Sequence, residues 1–338
     1  MSKIIIPQNY HSPISLIDTE IAIKIIKDTF EQELAKNLKL TRISAPLFLL
    51  KNTGLNDNLS GKEEPVSFTS YELNKNDEIE IIHSLAKWKR DALYRYQFKT
   101  HTGLYTDMNA IRKDEELDNI HSIYVDQWDW EIAIDKQDRT LDYFKKIVTS
   151  IYHTLTSVEA KILKLYPSLN SSILPKDIHF ITSQELEDLY PNDNAKIREA
   201  KITKTHKAVC IMQIGESLKS GLPHDYRAPD YDDWSLNGDI LVWNPILEDA
   251  LELSSMGIRV DSEILKLQLE KANASMRLNL PYHQNVIHQI LPLSIGGGIG
   301  QSRLCMFILQ KAHIGEVQAS LWDQQTLMIC QKNHIDLL

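Results

Sequence analysis

Glycine is scarce in this chain, 12 among 338 residues, yet four of them fall within five positions, Gly296, Gly297, Gly298 and Gly300. Such a run admits few structures. Glycine weakens any regular element, so a cluster marks backbone that must approach another group closely or take a conformation closed to other residues. The full stretch, Ile295-Gly296-Gly297-Gly298-Ile299-Gly300-Gln301-Ser302-Arg303-Leu304, leads into an apolar helical repeat at Leu304, Phe307 and Ile308. A helix N-terminus just past exposed backbone attracts anions, and Arg303 in the first turn adds a planar cation. The familiar nucleotide motifs fail: no Lys follows Gly300 as a Walker loop requires, and the third glycine of a dinucleotide fingerprint is missing. A packing-driven glycine run at a helix start accounts for the loop taken alone equally well.

Composition bounds the rest. At 43% hydrophobic and 25% charged, the chain has enough apolar residues for a core and needs no staple. A formal net charge of -9 excludes a general polyanion-binding or anionic-membrane surface, so an anionic ligand must be held by a few local cations. Cys210, Cys305 and Cys330 lie far apart without a CxxC pair, which fits a reduced compartment. The N-terminal MSKIIIPQNYHSP has no secretory apolar core, and no stretch approaches the roughly 18 apolar residues of a membrane span. A cytoplasmic protein with no membrane partner is expected.

The periodicity predicts mixed α and β. Ile17, Ile21, Ile25, Phe30, Leu34 and Leu38 form one stripe of a helix starting after Ser15, a capping hydroxyl with Asp18 three residues on. Phe144, Ile147, Ile151, Leu155, Val158, Ile162 and Leu165 give the clearest helix, beginning at Thr140. Residues 42–47 alternate as a strand that Pro46 confines to an edge or bulge, and residues 51–78 read as loop with one short hairpin arm. Short strands are expected at 79–82, 122–125, 178–181, 208–211 and 240–243, and helices near 183–206, 261–272 and 301–312. No repeat and no Pro- or Gly-rich linker divides the chain, so residues 1–338 are expected to form one compact domain with insertions. Pattern alone leaves open whether the sheet is parallel.

Three segments carry candidate chemistry. Asp232 and Asp233 precede Asp239, with Glu252 downstream; Asp239 and Glu252 stand beside apolar runs, where a carboxylate without a partner is costly, and two such acids suit Mg²⁺. The bland reading is a solvated acidic loop. His83 to Arg90 gathers three cations around Trp88, for which a surface helix turn is the plain alternative. In Asp126-Gln127-Trp128-Asp129-Trp130-Glu131, a strand would put Gln127 and Asp129 on one face and both tryptophans on the other. Twelve histidines include no HExxH, and they read as surface or satisfied residues.

These segments, together with Asp57-Asn58-Leu59-Ser60-Gly61, Gly103-Leu104-Tyr105-Thr106, Arg227 to Ser235, Leu236 to Pro245 and Glu252 to Val260, resemble the ammonia-dependent aspartate–ammonia ligases, the type A asparagine synthetases. The resemblance spans most of the chain in the family's order. It departs where Asp233-Trp234-Ser235 runs almost directly into Leu236-Asn237-Gly238, since some relatives carry a longer loop there. That family is similar to the catalytic core of class II aminoacyl-tRNA synthetases. The resemblance therefore implies an α+β fold with a central, mostly antiparallel sheet flanked by helices, and a homodimer. The Pro46 strand resembles those synthetases' dimer motif, Arg112 their motif-two Arg and Arg303 their motif-three Arg.

The implied reaction makes L-asparagine from L-aspartate, ammonia and ATP through a β-aspartyl adenylate, releasing AMP and pyrophosphate. The resemblance implies catalytic roles for Asp57, Arg112 and Arg303. It implies an aspartate pocket of Ser84, Lys89, Gln127, Asp129, Ser254 and Ser255. Its ATP site would use Arg112, Asp232, Asp233, Asp239, Arg259, Gly298 and Arg303, with Mg²⁺ on Asp239 and Glu252. No glutaminase-like portion is visible, so free ammonia is the expected nitrogen donor. Two rivals stand beside this reading. A tRNA synthetase would need an anticodon-binding domain and a basic surface, so no nucleic-acid partner is expected; a catalytically dead amino-acid sensor would have lost Arg112, Arg303, Asp239 or Glu252, and all four are present.

Overall fold

A serine hydroxyl starts the first helix: Ser15 Oγ accepts the Asp18 amide at 3.1 Å, and the helix ends at Lys39 in the left-handed conformation. The structure, a computed structural model, describes residues 4–57, 59, 63–73 and 77–338. Asn58, Ser60 and Gly61 of the first matched motif, and part of the expected 51–78 loop, lie outside the described residues. The helices are α1 (Leu16–Leu38), α2 (Ala86–Arg95), α3 (Leu141–Leu165), α4 (Ser183–Leu189), α5 (Ala195–His206), α6 (Ser262–Lys271), α7 (Pro281–Ile287), α8 (Gln301–Ile308) and α9 (Gln324–Lys332). The strands are β1 (Leu40–Arg42), β2 (Phe48–Leu50), β3 (Ser67–Phe68), β4 (Ile79–Ile81), β5 (Gly103–Ile111), β6 (Tyr124–Ala133), β7 (His179–Thr182), β8 (Ala208–Met212), β9 (Asp232–Asn244), β10 (Asp249–Arg259) and β11 (Ser294–Gly300).

Eight strands form one sheet in the order β1-β5-β6-β11-β10-β9-β8-β7. Its six inner strands are antiparallel throughout, and only the edges, β1 on β5 and β7 on β8, pair in parallel. The mostly antiparallel sheet flanked by helices is therefore present. On one face, α1, α3 and α8 close the main core over Trp128 and Trp130, both fully buried, with Phe30 of α1 stacked on Trp128 at 4.6 Å. α2 lies across β6 and β11 on the opposite face, which holds the site.

Several local expectations change. Ile17 and Ile21 of α1 are exposed, and the buried side is Ala22, Ile23, Ile26, Phe30, Leu34 and Leu38. Isoleucines on adjacent faces left the phase open, and packing on Trp128 settles it. The single strand expected at 42–47 is replaced by β1 and β2, which belong to different sheets, β2 pairing in a second sheet of order β2-β4-β3. The helix expected over 183–206 divides into α4 and α5: Pro191 breaks the run, and Asn194 caps the second helix by accepting the Ile197 amide at 3.0 Å. Thr140 does cap α3, accepting the Tyr143 amide at 3.2 Å.

Candidate active site

Strand alternation on β6 builds the floor. With Trp128 and Trp130 in the core, Gln127, Asp129 and Glu131 face the other way. The neighbouring strand there is the glycine run, which forms β11 rather than the loop expected from the sequence; Gly296 stands opposite Glu131, Gly298 opposite Asp129 and Gly300 opposite Gln127. None of these glycines has a positive φ. They are needed for space. A methyl on Gly296 would overlap the Glu131 carboxylate and lie 2.6 Å from an Arg259 nitrogen, and one on Gly298 would overlap the Gln127 amide. Gly300 is different, since a methyl there meets the Arg303 side chain at 3.4 Å, an ordinary contact.

A bulge on β10 supplies the next wall. Core-facing positions run Leu251, Leu253, then Met256, Ile258, and the register against β9 slips between Glu252 and Ser254. The phase change turns the consecutive Ser254 and Ser255 to the cavity together. Ser254 Oγ donates to the Gly298 carbonyl at 2.9 Å, which ties this wall to the floor.

The basic segment His83–Arg90 does not form a surface turn. α2 buries Lys87, Lys89 and Arg90, each with a dedicated partner. Lys89 Nζ donates to Asp129 Oδ1 and, at 2.8 Å, to the Gly297 carbonyl; burial pushes its pKa below the usual lysine value. Lys87 meets Asp230 at 3.2 Å, and Arg90 donates to the carbonyls of Val260 (2.7 Å) and Pro292 (2.8 Å). His283, read as a surface or satisfied residue, is buried and only half satisfied: its Nε2 is 2.9 Å from Asp230, which Arg277 also reaches at 3.3 Å, while its Nδ1 has no hydrogen-bond partner. Although burial pushes Asp230 up, Lys87 and His283 outweigh it and hold the carboxyl far below the carboxylate range.

These walls enclose a cavity of about 250 Å³ that brings together Asp57, Ser84, Lys89, Arg112, Gln127, Asp129, Asp232, Glu252, Ser254, Ser255, Arg259, Gly298 and Arg303. Asp57 Oδ2, Arg112 Nε and Asp129 Oδ2 are buried there without a hydrogen-bond partner. Buried polar atoms are nearly always paired, so these three leave unused hydrogen-bonding capacity at the cavity wall. Asp57 Oδ1 accepts the Leu59 amide (3.1 Å), and burial raises the carboxyl's pKa against the opposing charges of Lys87 and Arg112.

Two expected ATP residues are placed differently. Asp233 does not line the cavity; it accepts from Arg139 at 2.8 Å and from the Ser235 amide at 3.0 Å. Four residues, 233–236, lie between the β9 positions that pair with Gly257 and Arg259, and this excursion carries Asp233 away. Arg259 lines the cavity, but its guanidinium forks onto Glu131 at 2.9 and 2.7 Å and pairs with Asp232, so those charges are matched within the protein. One first-turn amide of α8 is taken within the protein, because Asp126 accepts both the Ser302 amide (3.1 Å) and its hydroxyl (2.8 Å). Arg112, Arg227 and Arg303 also line the cavity, Arg303 held by the carbonyls of Ile120 (3.4 Å) and Glu252 (3.2 Å) and 3.9 Å from the Glu252 carboxylate.

Asp239 stands just behind the lining, opposite Ser255, with Glu252 diagonal to it on the same face. Burial pushes the Asp239 carboxyl up to about 7 against the pull of Arg227, and Glu252 adds to the rise. Two carboxylates on one face form the oxygen donor set that a hard divalent ion takes, so these residues fit Mg²⁺. Sequence reasoning missed Arg227 as a site residue although it heads a matched motif; its ion pair with Asp239 depends on a contact no local pattern encodes.

A family model of aspartate-ammonia ligase matches residues 17–334. The chain belongs to this family. It is 58% identical over all 338 residues to the aspartate-ammonia ligase of Clostridium perfringens strain SM101, covering 100% of both chains. It is 56% identical to that of Clostridium tetani, covering 99% of this chain and 98% of the relative. Among solved structures the ligase chain is similar to asparaginyl-tRNA synthetases. That of Entamoeba histolytica, complexed with asparaginyl-adenylate, aligns with TM-score 0.61 at 13% identity over 90% of this chain and 66% of the synthetase. That of Pyrococcus horikoshii, also with asparaginyl-adenylate, aligns with TM-score 0.63 at 13% identity over 90% and 70%. The chain thus spans about two thirds of these synthetases, and the likeness shows a shared class II synthetase fold.

Proposed function

We propose that the chain joins ammonia to the β-carboxyl of L-aspartate with ATP, through a β-aspartyl adenylate. The observation that carries this reading is one cavity lined both by the cations Arg112 and Arg303 and by the unpaired carboxylate oxygens Asp129 Oδ2 and Asp57 Oδ2. Asp129 receives the substrate ammonium, with Gln127, Ser84 and Ser255 donating or accepting around it and Lys89 facing a carboxylate. Arg112 and Arg303 neutralise the phosphates, and Gly298 leaves room for the nucleotide beside β11. A β-carboxylate oxygen attacks the α-phosphorus, and the bond to pyrophosphate breaks. Asp239 and Glu252 would hold Mg²⁺, which supplies further positive charge to the phosphates.

Ammonia then attacks the acyl carbon with its lone pair and AMP departs with the C–O bonding pair. The amide nitrogen must lose one proton, and Asp57, whose raised pKa makes it a better base, accepts it. We further infer one catalytic domain over residues 1–338, a cytoplasmic location supported by three buried free cysteines, and a homodimer supported by exposed Leu16, Ile17 and Ile21 on α1. No helix among the described residues is long and apolar enough to cross a membrane.

Incubation with aspartate, ATP, Mg²⁺ and ammonium is expected to give AMP and asparagine in equal amounts. ADP as the nucleotide product would refute the adenylate, and glutamine in place of ammonium is expected to support little turnover.

A further inference from the structure

The segment between β8 and β9 brings a cation to the carboxylates assigned above to the metal. The Arg227 side chain is 16% exposed, pairs with Asp239 Oδ2 and stands 3.7 Å from Asp225. Asp239 is 6% exposed, and a carboxylate so placed needs a close positive charge. Glu252 adds its negative charge from β10 and lies 3.9 Å from Arg303 on the other side. A guanidinium bonded to Asp239 and a divalent ion coordinated by it therefore compete for the same oxygens, and both charges cannot occupy that space without strong repulsion. Arg227 also lines the cavity, as do Tyr226 and Ala228 beside it. The guanidinium thus stands at the wall of the space assigned above to the nucleotide.

We propose that Arg227 is a positioning residue that holds Asp239 in place of the divalent ion, so that metal enters with the nucleotide, whose phosphates draw the guanidinium away. The proposal rests on the assignment of Asp239 and Glu252 to the metal. It makes metal binding and ATP binding one coupled event, with Arg227 as the exchanged charge.

The test is calorimetric titration of the full chain with Mn²⁺ in the absence of nucleotide. Wild type is expected to bind weakly, and R227Q to bind about tenfold or more tightly, because a full positive charge about 4 Å from the ion is removed. R227K keeps the charge and should gain less. R227Q/D239N, which removes both partners and leaves no stranded charge, should return to weak binding. Tight Mn²⁺ binding by nucleotide-free wild type, or no gain in R227Q, overturns the proposal even if D239N still weakens binding of the Mn²⁺ complex of a non-hydrolysable ATP analogue. If neither D239N nor E252Q weakens binding of that complex, the metal assignment itself falls and the proposal falls with it.

Discussion

Lys89 and Asp129 form a pair whose members are 1% and 3% exposed at the side chain, and Lys89→Met removes one charge of it. The variant strands a buried carboxylate and the Gly297 carbonyl, which loses its 2.8 Å donor. Breaking a buried pair from one side costs about 3–5 kcal/mol. An unfolding entropy of about 2.1 cal/mol/K per residue gives roughly 0.7 kcal/mol/K for a chain of this length, so the melting temperature should fall by about 4–7 °C. Lys89→Met/Asp129→Leu removes both charges and is expected to recover to within about 2 kcal/mol of wild type, because a buried pair and a packed apolar pair are often of similar stability. Neither variant should bind aspartate. Thermal unfolding at one scan rate and aspartate titration of the same samples provide the readouts. The reasoning is refuted if Lys89→Met melts within 1 °C of wild type, a loss of under about 1 kcal/mol, or if the double variant is no more stable than the single one.

Three further outcomes follow from the geometry. Gly298→Ala must displace the Gln127 amide and should raise the aspartate KM about tenfold or more, the loss of roughly one good hydrogen bond. Gly300→Ala, whose methyl meets only the Arg303 side chain, should keep stability within about 0.5 kcal/mol; equal KM effects for the two would contradict the close-approach account. Asp57→Ala should damage amide formation more than aspartate-dependent pyrophosphate exchange, and equal losses would remove its assigned part in proton transfer. His313 is fully buried, its Nδ1 accepts the Gly315 amide at 3.0 Å, and burial pushes it down to about 4. Its folded pKa lies below the unfolded value near 6.5, so the associated stability is full above that value and is lost as pH falls toward 4. The loss should reach about 3 kcal/mol, seen in urea midpoints, and be absent in His313→Gln.

Much of the site was legible locally. The alternation of Gln127 and Asp129 with Trp128 and Trp130 sorted one strand's faces correctly, because side-chain direction in a strand is fixed by period alone. The caps at Ser15 and Thr140 were equally readable, since a hydroxyl bonds an amide three residues on. The glycine run was located but misread as a loop. Its cause is a set of side chains from β6 and β10 that only the assembled sheet brings beside it. Burial of the α2 cations is not readable locally for the same reason, as Asp129 and Asp230, the partners of Lys89 and Lys87, are 40 and 143 residues away.

What the sequence determined by itself was the family, the residue types the chemistry needs and the caps and strand faces set by neighbours within four residues. The tertiary structure decided which charges are free to meet a ligand. Asp232 and Arg259 line the cavity yet match each other, Asp233 is carried out by an irregularity in β9, and Asp126 takes a first-turn amide of the helix whose N-terminus the sequence offers to an anion. Arg227 enters through its place in the cavity wall and its pair with Asp239. Charge is conserved along a chain, but its availability depends on pairings across distant strands, and in a buried site those pairings set the energy.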